Sequence, residues 1–383
     1  MNGDFSESMG PDREELSAKI PAVRLAAAHS PLSPPRNRIP LVRVVREWRR
    51  MLVPVLLALA LAAQAPTVGD VEVFGARKLS SDKIMKTLGV KPGDPLPPSK
   101  NKLEEGLMAI DGVARASVEA FCCDAGQAIL YVGIEERGAS AYPLRDWPQG
   151  DLQLPEEIPQ SYHDFALALA QAVREGDTAE DLSAGHSLMK NVACHVLQER
   201  FVGLAELYTE VLRSVLREAD DEEQRAIAAY VLGYAPNKRE IVDDLQQALR
   251  DPDPDVRANA LRAIKPIALL AQQDKELGIK FETTWLVEML NSTVLKDRLE
   301  AVDALLELTE NGVSPSTEKH IRERGLHGLT EMAHWRHLPH ALPAYMLMGR
   351  LAGMTEEELA NGWVGDQREK KLQAIEQKLK SKK

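Results

Sequence analysis

The chain has 383 residues, 44% apolar, 27% charged and only 5% aromatic, a folded composition too long for one typical core and suited to two or three domains. Its net charge of -11 is uneven: residues 1–65 hold nine Lys/Arg and six Asp/Glu, leaving 38 basic against 52 acidic residues, or -14, in the remainder. Such a body repels phosphate, which excludes nucleic acid as its partner, and three cysteines (Cys122, Cys123 and Cys194) exclude a disulfide framework.

Residues 1–40 are Pro/Ser/Arg-rich and aperiodic, and read as a disordered arm or a start placed too far upstream. Arg36, Arg38, Arg43, Arg46, Arg49 and Arg50 then precede the apolar run MLVPVLLALALAA at Met51. At about 20 Å as helix, this run falls short of a ~30 Å hydrocarbon layer. Residues 41–65 therefore read as a signal peptide, with Ala63-Gln64-Ala65 as the cleavage pattern, or as an N-terminal anchor. The expected location is periplasmic or cell-envelope, with a cytoplasmic protein as the alternative; membrane association would run through 51–65.

Residues 68–137 have α/β character. Val71-Glu72-Val73-Phe74 alternates as a strand and stops at Gly75; Ser80 and Ser81 open a helix bearing Ile84, Met85 and Leu88, ended by Gly89. A second helix over 100–110 carries Leu103, Leu107 and Ile110, and Asp111-Gly112 turns into strands over 113–121 and 128–135. This β-α-α-β-β order, with V-x-V-x-G at its start and a DGV junction at Asp111-Gly112-Val113, resembles the polypeptide-transport-associated (POTRA) domain. The resemblance implies binding of other polypeptides, often at an open sheet edge; the 113–121 strand is the candidate edge, with Glu119 as a non-core position on it. Residues 138–160 contain Pro143, Pro148, Pro155 and Pro159 and read as an extended inter-domain linker.

From 161 to 370 nearly every segment has helical period. Arg225, Arg257 and Arg298 each precede alanine by three residues and apolar residues by four, six and seven. Arginines 32 and then 41 residues apart mark a stacked helix-pair solenoid, which presents a long binding surface. The stretch Asp251-Pro252-Asp253-Pro254-Asp255-Val256-Arg257 resembles the HEAT-repeat family, and the whole region looks like an uncharacterised bacterial group of it. That resemblance implies repeat-linking aspartate and arginine pairs, carried onto Asp221 and Arg225, onto Asp253, Asp255 and Arg257, and onto Arg298, where Lys296 departs from the acidic position. A fourth copy starts at His340 with histidine in place of arginine, and 371–383 form a basic tail.

Chemistry is scarcely visible. His334 and His337 share a helix face, with His327 and His340 near, yet no carboxylate stands at ligand spacing and Pro339 interrupts. Vicinal Cys122-Cys123 has no second CxxC, and reads as structural. Neither a G-x-S-x-G elbow nor a phosphate-binding loop occurs. The expected architecture is mainly α, a HEAT-type solenoid behind a small β-α-α-β-β domain, with no catalytic residue, metal or cofactor. The expected function is a non-enzymatic exported scaffold binding protein partners. Its rivals are a HEAT-fold enzyme resembling the bilin lyases and a cytoplasmic adaptor.

Overall fold

A computed structural model describes residues 66–381 apart from 125–126, 140–141, 364 and 366, and omits the side chains at 122–124. The 1–40 arm, the 41–65 leader with its cleavage pattern and the side chains of Cys122 and Cys123 lie outside the described residues.

The chain opens with β1 (Thr67–Phe74), α1 (Ser81–Leu88), α2 (Lys100–Met108), β2 (Val113–Asp124) and β3 (Gln127–Glu136). Ser80 caps α1 by accepting from Lys83 N, and Gly89 ends it in the left-handed region at φ 67°. Strand β3 is central, parallel to β1 and antiparallel to β2. The period of two gives this sheet two apolar faces. Val118, Ala120, Leu130, Val132 and Ile134 pack with Ile84, Leu88 and Leu107 of the two helices and with Ile110 just beyond α2. The alternate residues Phe74, Phe121, Ile129 and Tyr131 join a different core, that of the helical region.

That region is a two-layer stack. Its first layer contains α4 (Val192–Glu218), α6 (Lys238–Ala248), α8 (Thr284–Met289) and the broken α10 (Pro315–His320) and α11 (Leu326–His334). In its second layer, α5 (Glu222–Leu232), α7 (Pro254–Gln273), α9 (Leu295–Leu308), α12 (Leu338–Leu351) and α14 (Gln367–Ser381) each touch the next. Helix α3 (Glu157–Glu175) covers α4 and α5 at the opening end, and α13 (Glu356–Gly362) packs on α12 and α14 at the other.

Three arginines near the starts of second-layer helices link the units. Arg225 donates Nε and Nη2 to Asp251, each at 3.0 Å, and its Nη1 to the carbonyls of Ala219 and Asp220. Arg257 repeats this on Asp297, at 2.7 Å from Nη2, and on the carbonyls of Asp251 and Pro252. Arg298 binds the Ser292 carbonyl and Glu331, the latter at 2.8 Å. Each arginine thus closes the loop before its own helix and takes a carboxylate from the next unit. The three arginines, Asp251 and Asp297 are all at most 2% exposed. Burial works against the charge of Arg257, yet Asp297 outweighs it and raises the arginine's pKa.

The aspartates expected in this role do something else. Asp221 and Asp253 are the N-caps of α5 and α7, accepting from Gln224 N and from Asp255 N and Val256 N. Asp255 is exposed and reaches only Lys296, at 3.7 Å. A cap needs its carboxylate at the helix's own amides, which turns it away from the neighbouring unit.

Residues 142–156 are not a spacer. They form a strap along the arginine ladder, running back from the third unit to the first. Tyr142 donates its hydroxyl to the Leu249 carbonyl. Arg145 pairs with Asp251 and donates to the carbonyls of Leu216 and Arg217. The Trp147 ring lies 5.0 Å from the Arg225 guanidinium, and its Nε1 donates to the Asp220 carbonyl. Gly150 donates to Glu218 O at 2.7 Å and accepts from Asp220 N at 2.8 Å. A Cβ at Gly150 would stand 2.6 Å from Glu218 O, so glycine permits this pairing.

The sheet's second face docks on the far half of the solenoid. Gly75 N donates to Glu331, Leu295 N to Glu119, and the Tyr131 hydroxyl meets His340 Nδ1 at 2.8 Å. Phe74 packs on Trp335 and under Arg298, whose guanidinium is 4.5 Å from the ring centre. Glu119 is therefore an interface residue, and burial pushes its carboxyl up to about 7. On the β2 edge the Val118 amide is already held by Glu104 of α2 at 2.8 Å, so that donor is closed to an added strand.

Gly133 sits where the surfaces meet, with Thr293 O only 2.0 Å from the place a Cβ would occupy. Gly133→Ala is expected to cost about 1–3 kcal/mol by overpacking and to open the strap to trypsin at Arg137 and Arg145. A melt and digestion pattern equal to wild type would show that sheet and solenoid are independent. Arg257→Ala should destabilise by about 3–5 kcal/mol, since Asp297 stays buried without its cation, while Arg257→Met with Asp297→Leu recovers most of the loss. Chemical denaturation of the three proteins measures both effects.

Candidate interaction surface

Second-layer helices expose a stripe of side chains between successive units, and a groove there runs between α7 and α9. Asn259, Arg262, Lys265, Lys296, Glu300 and Asp303 line it. A hairpin of β4 (Glu180–Asp181) and β5 (Leu188–Met189) overhangs one side and contributes Glu180 and Ser187. The hairpin is tied down by ion pairing of Glu180 with Arg262 and by the Tyr234 hydroxyl donating to Ser187 O at 3.0 Å. Its tip is Gly185, at φ +73° and against Leu270, where a side chain has neither room nor a favoured backbone.

The groove's charges divide into satisfied and unsatisfied. Lys265 pairs with Glu307 at 2.5 Å, and Arg262 is shared between Glu180, Ser187 and the face of Tyr230. Among the described residues, neither Glu300 nor Asp303 has an ion-pair partner. Burial pushes Glu300 up to about 7, with Lys296 only partly opposing it. Partial desolvation at the groove wall raises Asp303 against the opposition of Lys265, although the residue as a whole is exposed. The partly buried Glu300 and the exposed Asp303 thus stand one turn apart on α9, two carboxylates facing the groove.

Behind the hairpin, Lys238 donates to Gly233 O at 2.6 Å and stands 3.4 Å from His186 Nδ1. Burial brings the amine down to about 7 and, with Lys238 adding, the imidazole down to about 4. At 7% exposure the lysine is a strut holding the hairpin to the end of α5.

The histidines weighed as metal ligands are dispersed into pairs. His334 meets Glu376 at 2.9 Å, His327 meets Glu331 at 3.2 Å, and His337 meets His340 edge to face, 4.1 Å between centres, at the sheet interface. Among the described residues no three His, Cys, Asp or Glu side chains converge to hold an ion, and no helix is long and apolar enough to cross a membrane. Cys194 is buried at the start of α4.

None of Asp221, Arg225, Asp253, Asp255, Arg257 and Arg298 lines the groove; they lie at helix starts on the ladder edge. Sequence reasoning missed the true partners Asp251, Asp297 and Glu331, and also Glu300, Asp303, Arg145 and Trp147. A signal for two of the partners existed, because Asp251 and Asp297 both stand just ahead of the next repeat arginine.

Residues 209–306 match the family model of HEAT repeats. Among solved structures, a designed armadillo repeat protein is similar at 17% identity with a TM-score of 0.29, covering 52% of this chain and 98% of its own. No curated protein matches the chain. Repeat arginines link helix pairs across the matched residues, so residues 209–306 are similar to HEAT repeats within a longer stack of helix pairs.

Proposed function

We propose that this protein is a non-enzymatic, exported scaffold of a bacterial cell envelope that holds a basic segment of a protein partner in the α7–α9 groove. The observation that carries the reading is the pair Glu300 and Asp303, which line the groove without an ion-pair partner among the described residues, the Glu300 carboxyl being partly desolvated. Leaving carboxylates in this condition costs stability, and an arginine or lysine from a partner returns it. Repeat solenoids commonly serve as interaction scaffolds, and this one presents the groove on a stack braced by strap and sheet.

Export rests on the arginine-then-apolar pattern of residues 36–65. The small domain, POTRA-like in its β-α-α-β-β order, acts in this reading as a brace that fixes the solenoid's curvature, with its remaining edge as a secondary contact.

Affinity isolation from the envelope fraction, followed by mass spectrometry, tests the groove. Proteins retained by wild type should be lost with Glu300→Lys plus Asp303→Lys and kept with Asp243→Lys, an exposed change on α6. Retention by all three would remove the groove from the function. Binding should also weaken as pH falls through about 7, because protonation neutralises the raised Glu300 carboxyl. N-terminal sequencing of the mature protein tests export; a soluble cytoplasmic species beginning at Met1 or Met51 would sink that part alone.

A further inference from the structure

We propose that the protein pairs with a second copy of itself through the outer face of α4, antiparallel about a twofold axis. Helix α4 has 27 residues, and its inner face, including Phe201, Leu204, Leu212 and Val215, is buried in the solenoid core. Its outer face exposes Val192 (76%), Val196 (60%), Leu207 (70%) and Val211 (37%). Single exposed apolar side chains are ordinary, but Val192, Val196 and Leu207 aligned on one regular helix, with Val211 continuing the stripe past the break at Tyr208, mark a contact surface. Helix α3 and strand β5 pack on other faces of α4 and leave this stripe exposed.

The occupant is indicated by the order of residues on that face. Positions 192, 196, 200, 203, 207 and 211 are separated by 4, 4, 3, 4 and 4, a spacing that reads identically in both directions. A twofold contact requires self-complementarity, and this face has it. An axis between 201 and 202 sets Val192 against Val211, Val196 against Leu207, and Arg200 against Gly203 of the other copy. Space around Gly203 is open, with nothing within 4 Å of a built Cβ, so two helices can approach closely and the stem of Arg200 can lie across it.

Charge agrees with the same register. Among the described residues, Arg200 and Glu206 have no ion-pair partner within the chain. In the antiparallel pairing, position 206 lies one turn beyond 203, so Arg200 of each copy meets Glu206 of the other, twice by symmetry. The helix departs from helical geometry at Tyr208 (φ -116°, ψ 21°), so the central contacts over 196–207 fall on its regular part. Glu199, Glu206 and Glu210 border the stripe, which disfavours an anionic lipid surface as the alternative occupant.

Sedimentation velocity on the full chain should show a concentration-dependent monomer–dimer equilibrium. Leu207→Glu should raise the dissociation constant ~10-fold or more, whereas Leu277→Glu, a comparably drastic change at an exposed turn, should not. A wild type that stays monomeric, a dimer unmoved by Leu207→Glu, or assembly beyond dimers overturns the proposal. Orientation is read by oxidation. Val196→Cys mixed with Leu207→Cys should give a disulfide-linked dimer that neither variant forms alone, with wild type as the blank; cross-linking by Val196→Cys alone would overturn the antiparallel register.

Discussion

Everything else in this fold hangs from the ladder of buried arginines and carboxylates at the starts of the second-layer helices. Two fully desolvated pairs, Arg225 with Asp251 and Arg257 with Asp297, and a third on Glu331 join consecutive units. Such pairs add little net stability over well-packed apolar residues, but a mispaired register would strand a charge in the core. Their contribution is to specify which helix pair stacks on which, something alanine- and leucine-rich faces specify weakly.

The ladder is also where the N-terminal elements attach. Asp251 serves Arg145 of the strap as well as Arg225, and Glu331 serves the Gly75 amide of the sheet as well as Arg298. A simple solenoid is quasi-one-dimensional, each unit touching only its neighbours. Here contacts such as Tyr131 with His340 and Asp70 with Arg336 join residues more than 200 positions apart. The strap and sheet thus couple distant units, and curvature that would otherwise flex is held by a second fastening. In place of a fourth arginine stands His340, and in place of the next unit's carboxylate stands Tyr131: the sheet continues the ladder where the repeat pattern degenerates.

Local chemistry was legible in the sequence. Capping at Ser80, the left-handed stop at Gly89, the five elements of the small domain and the arginine-marked helix starts follow from residue types acting on their own neighbours. The sequence also identified Arg225, Arg257 and Arg298 as special, because a charged residue recurring beside an apolar stripe needs a buried partner.

Which partner it finds is a different kind of information. Asp253 and Asp297 are both aspartates close to a repeat arginine, yet one bends back to cap its helix and the other faces the preceding unit. Only the stacking of the pairs decides this. The same holds for Glu119 and Gly133, whose alternation reads as a solvent face until the solenoid covers it, and for Pro-rich 142–156, extended but laid along a ladder that sequence does not place. For Glu300, composition supplies an ordinary surface carboxylate, and the packing of α7, α9 and the hairpin removes part of its water, while Asp303 beside it stays exposed. Sequence determined the elements and their periodicity, which depend on neighbours a few residues away. Tertiary structure alone decided the pairings and the desolvation, because these depend on groups brought together from up to 266 residues apart.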